Sequence, residues 1–182
     1  VTVSVEPQSF HYVLFDAAAI GDVAAIVLEQ LAMTEHDVHI AVDETTPVSR
    51  VRVEVGDPIV VRAESGAFED ARRPRQLSQQ NTALNLGRML LRVRDRTDGS
   101  FGEAPQDDQM TLAHVAAWDA YIVGRLERSG QTINRQRFLY NFRNRHGFTD
   151  TGDAAFEQLW CADRLTWNEL ASISATALAA RL

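Results

Sequence analysis

Residues 78–93 read SQQNTALNLGRMLLRV, and their periodicity decides how the middle of the chain folds. Ala83, Leu84, Leu86, Gly87, Leu90 and Leu91 cover about half the circumference of a helix, at ~100° per residue. Asn81, Asn85, Arg88 and Arg92 fall in a narrow band opposite. Ser78 supplies an N-cap hydroxyl. The spacing therefore predicts a helix from 79 to about 95 with one core face and one clean Asn/Arg stripe. Gly87 on the apolar side would let a neighbouring backbone approach closely, at a helix cost of about 1 kcal/mol. Amides and guanidinium groups bind carboxylates and phosphates well but neither hold a metal nor move a proton near neutral pH. Asn81, Asn85, Arg88 and Arg92 are thus binding candidates, and no catalytic role follows from them.

Working outward, the two sides differ. Before the helix, TVSV (2–5), HYVLF (11–15), DVHIAVD (37–43), RVRVEV (50–55) and IVVRAES (59–65) have the β-branched alternation of strands. In RVRVEV, Val51, Val53 and Val55 point in, and Arg50, Arg52 and Glu54 point to water. Gly56-Asp57-Pro58 turns that strand back on the next as a hairpin. GDVAAIVLEQLAM (21–33) reads as a helix with Asp22 as its cap, and GAFEDARRPRQLS (66–78) reads as a loop. After the helix, DRTDGSFGEAPQDDQ (95–109) is an acidic, mobile loop. Three further helices carry caps at Thr111, at Asp153 and, in the capping box Thr166-x-x-Glu169, at Thr166; a fourth, INRQRFLYNFRNRH (133–146), stops at Gly147. The expected fold is α+β, a small mixed or antiparallel sheet with helices and a helical C-terminal half. It is read as one domain over 1–182, with an α/β part at 1–95 and 108–182 as a candidate helical subdomain.

Composition limits the chemistry. With 45% hydrophobic and 24% charged residues, the chain has the balance of a globular protein with a full core. The net charge of −7 repels phosphate backbones, which makes nucleic acid an unfavourable partner. All 18 basic residues are arginine, a bias fitting a GC-rich bacterial genome, so lysine-dependent chemistry is excluded. The lone Cys161 can form neither an internal disulfide nor a cysteine-based zinc site, and its apolar context predicts a buried thiol. The longest apolar run is far short of the ~20 residues a membrane helix needs, so the expectation is a cytoplasmic protein without a membrane partner. His11, His36, His39, His114 and His146 show no i, i+4 pair, so no metal site is expected, and no cofactor motif occurs.

Two other constellations merit weighing. In TLAHVAAWDAYIVGRLE (111–127), Asp119 projects into the middle of an apolar face with His114 on the flank. A carboxylate there needs a partner or a shifted pKa, so Asp119 and His114 mark a candidate buried polar site, read first as a structural tie and alternatively as an acid–base pair of an enzyme. In 133–146, Arg135, Arg137, Arg143 and Arg145 scatter around the helix instead of forming a phosphate-tracking stripe. An amphipathic helix tied to acidic neighbours is the main reading; a nucleic-acid regulator using helix 134–146 is the alternative. The helical half also offers a surface for a homodimer.

The order of elements resembles the minimal zincin-like metalloprotease domains of bacteria. FDAAAIGDVAAIVLEQLAM (15–33) resembles their opening helix, HDVHIAVDETTP (36–47) their first strand, and residues 57–91 their edge strand, long loop and active helix. The resemblance spans residues 10 to about 93. It implies a helix carrying HExxH, two histidine ligands with a glutamate base between them. Here residues 84–88 read Leu-Asn-Leu-Gly-Arg, and no ligand or base carries over. The resemblance therefore implies a degenerate, non-catalytic zincin-like shell that binds a protein or small ligand.

Overall fold

The computed structural model describes residues 2–181 and divides the chain into two compact units, Val1–Val93 and Arg94–Leu182. The fold is α+β, with six helices, a four-stranded mixed sheet and a two-stranded one.

In the first unit, strand β1 (Val3–Glu6), helix α1 (Ala17–Gln30) and strand β2 (Val38–Asp43) form a crossover between parallel neighbours. Strand β4 (Ile59–Glu64) lies parallel to β2, and β3 (Val51–Glu54) pairs antiparallel with β4. The sheet order is β1-β2-β4-β3. Alternation sorts its faces. Val5, Val38, Ile40, Val42, Ile59, Val61 and Ala63 are buried on one side, and α1 contributes Ile20, Val23, Ala24, Val27 and Leu28 to the core. Ser4, Glu6, His39, Ala41, Arg62, Arg52 and Glu54 fall on the other, open face.

Five expectations for this unit change. Asp16, not Asp22, caps α1: its extended backbone lets Oδ1 accept from the Ala18 N–H at 2.9 Å, and Gly21 and Asp22 lie inside the helix. HYVLF is no strand, because Leu14 finds only a single bridge to Gln76. IVVRAES is an interior strand flanked by β2 and β3, and β3 takes the edge expected for it. Residues 66–78 hold a 3-10 turn (Ser65–Ala67) and the hairpin of β5 (Glu69–Asp70) and β6 (Arg73–Leu77) instead of a structureless loop. Val55 lies just beyond the end of β3 and is half exposed, so the inward row stops at Val53.

Helix α2 (Gln79–Thr97) starts as expected, with Ser78 Oγ accepting from the Asn81 N–H at 3.1 Å, and the boundary between the units falls inside it. The second unit is helical: α3 (Leu112–Arg128), α4 (Arg135–His146), α5 (Asp150–Cys161) and α6 (Trp167–Ala179). Buried α3 residues Trp118, Ile122, Val123 and Leu126 form the middle of its core. A Cβ on Gly124 would come within 2.0 Å of the Trp160 carbonyl oxygen, so α3 and α5 touch at a point only glycine allows. Thr111 and the Thr166–Glu169 box cap their helices as the sequence implies. Thr149, not Asp153, caps α5, its hydroxyl accepting from the Gly152 N–H at 3.0 Å. The acidic loop is anchored: Phe101 is buried and its carbonyl accepts from the Trp167 N–H at 2.7 Å. Cys161, the last residue of α5, is exposed, not buried. Among the described residues no helix is long and apolar enough to cross a membrane.

Candidate functional site

The Asn/Arg stripe of α2 is not a wet surface. Asn81 and Asn85 are half-buried, and their amides donate to the carbonyls of Glu69 and Ala67, each at 2.7 Å. Two side chains one turn apart thus clamp the stretch that links the 3-10 turn to β5. Arg88 Nη1 donates to Asn85 Oδ1 at 3.1 Å, which orients the Asn85 amide for its own bond. Arg92 is buried and engaged in polar interactions. Gly87 is buried as well. Of the four binding candidates, then, the two asparagines hold the fold and Arg88 supports one of them.

Asp119 is buried and also engaged, as a carboxylate on an apolar face must be. His114 lies five residues earlier, about 140° around the helix, and packs edge-on against Trp167 at 5.5 Å. These two are not brought together as an acid–base pair. The best-defined buried tie in this unit is one the sequence reading missed. Asp95, in the last turns of α2, takes both Nη groups of Arg125 at 2.8 and 2.6 Å and the Trp118 indole N–H at 2.9 Å. Phe101, Trp118, Tyr121 and Trp167 stack around it, with the Arg125 guanidinium 3.9 Å from the Tyr121 ring centroid. Burial raises the Tyr121 pKa above its ordinary value.

His146, at the end of α4, is fully buried: Nδ1 donates to the Phe142 carbonyl at 3.1 Å, and Nε2 accepts from Ser174 Oγ at 2.8 Å. Burial pushes its pKa below 6.5, so it sits neutral. A hydroxyl–imidazole pair sealed from solvent is a core tie, not a nucleophile.

One concavity of the first unit lies on the open sheet face. A cavity of about 500 Å³ is lined by Glu6, Ala41, Asp43, Arg50, Arg52 and Arg62, among others. Register explains it: Glu6, Ala41, Arg62 and Arg52 stand side by side across β1, β2, β4 and β3, and the small Ala41 makes the floor. Arg50 pairs with Glu64 at 3.0 Å and Arg62 with Glu54 at 2.7 Å. Arg52 stands directly opposite Arg62, and its guanidinium has no ion-pair or hydrogen-bond partner among the described residues. Hydrogen bonds from Thr45 hold Asp43 below the usual carboxylate range, and the Arg62 hydrogen bond does the same for Glu54. Both are anions at neutral pH and poor proton donors. Beside the cavity, Ser4 Oγ meets His39 Nδ1 at 2.9 Å, and Glu6 lies 3.5 Å from Nε2. This exposed trio follows from register alone and lacks the water-excluded setting that gives such groups catalytic strength. Among the described residues, no three His, Cys, Asp or Glu side chains gather to hold a metal ion.

No protein-family model matches this chain, and no curated protein or solved structure does either. The functional reading therefore stands on the residues themselves. Arg52 was visible in the sequence as an outward strand residue. Its confrontation with Arg62 was not, because that depends on the β3–β4 register.

Proposed function

We propose that this chain is a non-catalytic binding protein whose ligand carries an anionic group and settles in the concavity of the open sheet face. The observation that carries this is the pairing of Arg52 with Arg62 at the rim of a 500 Å³ cavity, with a counter-ion for Arg62 alone. Like charges directly opposite across a ladder are unfavourable, and an anion between them reverses the sign. A zincin-like origin for the first unit is part of the same proposal. Its support is the order of strand, helix, three strands, short hairpin and long helix, with Asn85 at the position of the base and Arg88 at that of the second ligand, hydrogen-bonded to each other. The ligand is a small acid or the carboxylate of a partner protein; a cytoplasmic location belongs to the proposal and fits a chain with one cysteine.

Side-chain nuclear magnetic resonance of the arginine Nε–Hε groups tests this, with inorganic phosphate and succinate as probes. Saturable shifts at Arg52 and Arg62 that vanish in Arg52→Gln are expected. Absence of any shift with both probes overturns the site. Stoichiometric zinc in the purified protein overturns the non-catalytic reading.

A further inference from the structure

Helix α4 buries Phe138, Phe142 and His146 and leaves its opposite side unpartnered. Two of its four arginines are used within the unit: Arg135 pairs with Glu157, and Arg143 makes two bonds to Asp153 at 2.7 and 2.6 Å. Arg137 is exposed, and its guanidinium has no partner among the described residues. One turn on, Tyr140 is 61% exposed, and Phe148, just beyond Gly147, is 63% exposed. The two rings meet edge to face at 6.0 Å, with the Arg143 guanidinium 5.9 Å from the Phe148 centroid, so they form one largely exposed aromatic patch. Two residues after Phe148 stands Asp150, exposed and likewise without a partner.

Along the chain the exposed residues run cation, ring, ring, anion. Turned about a twofold axis passing between the rings, that order is complementary to itself. Arg137 meets Asp150 of a second copy, and Tyr140 meets the second copy's Phe148. An isologous interface demands this property, and Tyr, Phe and Arg are the residue types enriched where proteins meet. Arg145 lies about 80° around the helix from Arg137, at the rim of the patch, where its charge stays in water.

We infer that the α4 face is the interface of a homodimer, with Tyr140 and Phe148 at its centre and reciprocal Arg137–Asp150 pairs at its ends. The patch is small, so the association belongs to the weak class, below about 1,200 Å² of buried surface. This interface is independent of the proposed ligand on the sheet.

Sedimentation equilibrium of the 182-residue chain at physiological salt, from about 5 to 500 μM to bracket a weak dissociation constant, tests it. A reversible monomer–dimer equilibrium is expected, abolished by Tyr140→Glu. Arg137→Asp and Asp150→Arg should each weaken the dimer about tenfold, or roughly 1.4 kcal/mol, and combining them should restore it. Circular dichroism should show every variant folded, since all three positions are exposed. A chain that is monomeric throughout overturns the inference, as does a dimer indifferent to Tyr140→Glu or a double variant as weak as the singles. Titration with mixed-sequence single-stranded RNA is the control. RNA binding that depends on Tyr140, without a dimer, assigns the face to nucleic acid and overturns it too.

Discussion

Helices α2 and α4 both carry arginine and asparagine on a polar side, and they use it in opposite ways. In α2 the stripe turns inward: two asparagines clamp backbone carbonyls, Arg88 braces one of them, and Arg92 is buried. In α4 two arginines turn aside to carboxylates of α5, and the remaining face, with Tyr140 at its middle, stays in water. The difference lies in the neighbours. The stretch around Ala67 and Glu69 presents carbonyls that strand pairing leaves open, and asparagine amides one turn apart suit them. Among the described residues no element of its own unit offers α4 an equivalent cover, and exposed rings result.

Breaking the inward side should cost most. Asp95→Ala leaves Arg125 buried beside an aromatic cluster without its carboxylate, and the second unit should lose about 3–5 kcal/mol by chemical denaturation. A smaller, pH-graded effect belongs to His146. Burial holds its pKa below 6.5 in the folded chain, while the unfolded chain protonates normally. The unfolded state then binds more protons as pH drops, so stability is flat above about 6.5 and declines below it. His146→Gln should flatten that decline, and a slope unchanged by the substitution would reassign it. The smallest effect should come from the outward side. Arg143 and Asp153 are 31% and 39% exposed, and solvent and salt screen their attraction. Arg143→Ala should barely move the thermal midpoint; a loss comparable with Asp95→Ala would erase the contrast between buried and exposed pairs.

Much of the fold was legible because it rests on local rules. The alternation of DVHIAVD and IVVRAES, the Ser78, Thr111 and Thr166 caps and the Gly147 stop each depend on residues close in sequence. Errors came where a nonlocal partner decided the outcome. HYVLF has a strand's composition but meets only one bridging residue, and Asp153 looks like a cap until Arg143 claims it. The candidate site was harder. Helical periodicity places Asn81 and Asn85 on one side of α2, yet says nothing of whether that side is wet. The Arg52–Arg62 opposition depends on the exact register of the hairpin, and the Asp95–Arg125 pair on packing between separate helices. Gly124 and Gly66 show the same limit: their close approaches to the backbones of Trp160 and Pro47 depend on how separate segments pack.

The central claim is that the polar stripe of α2 is scaffolding and that binding belongs elsewhere. Urea denaturation of Asn85→Ala tests it most directly. Removing the amide strands the Ala67 carbonyl and unseats Arg88, and the account predicts a loss of about 1–3 kcal/mol, with the Arg52 and Arg62 response to phosphate and succinate intact. Unchanged stability together with a lost response at Arg52 would contradict it, because Asn85 would then serve a ligand and not the fold.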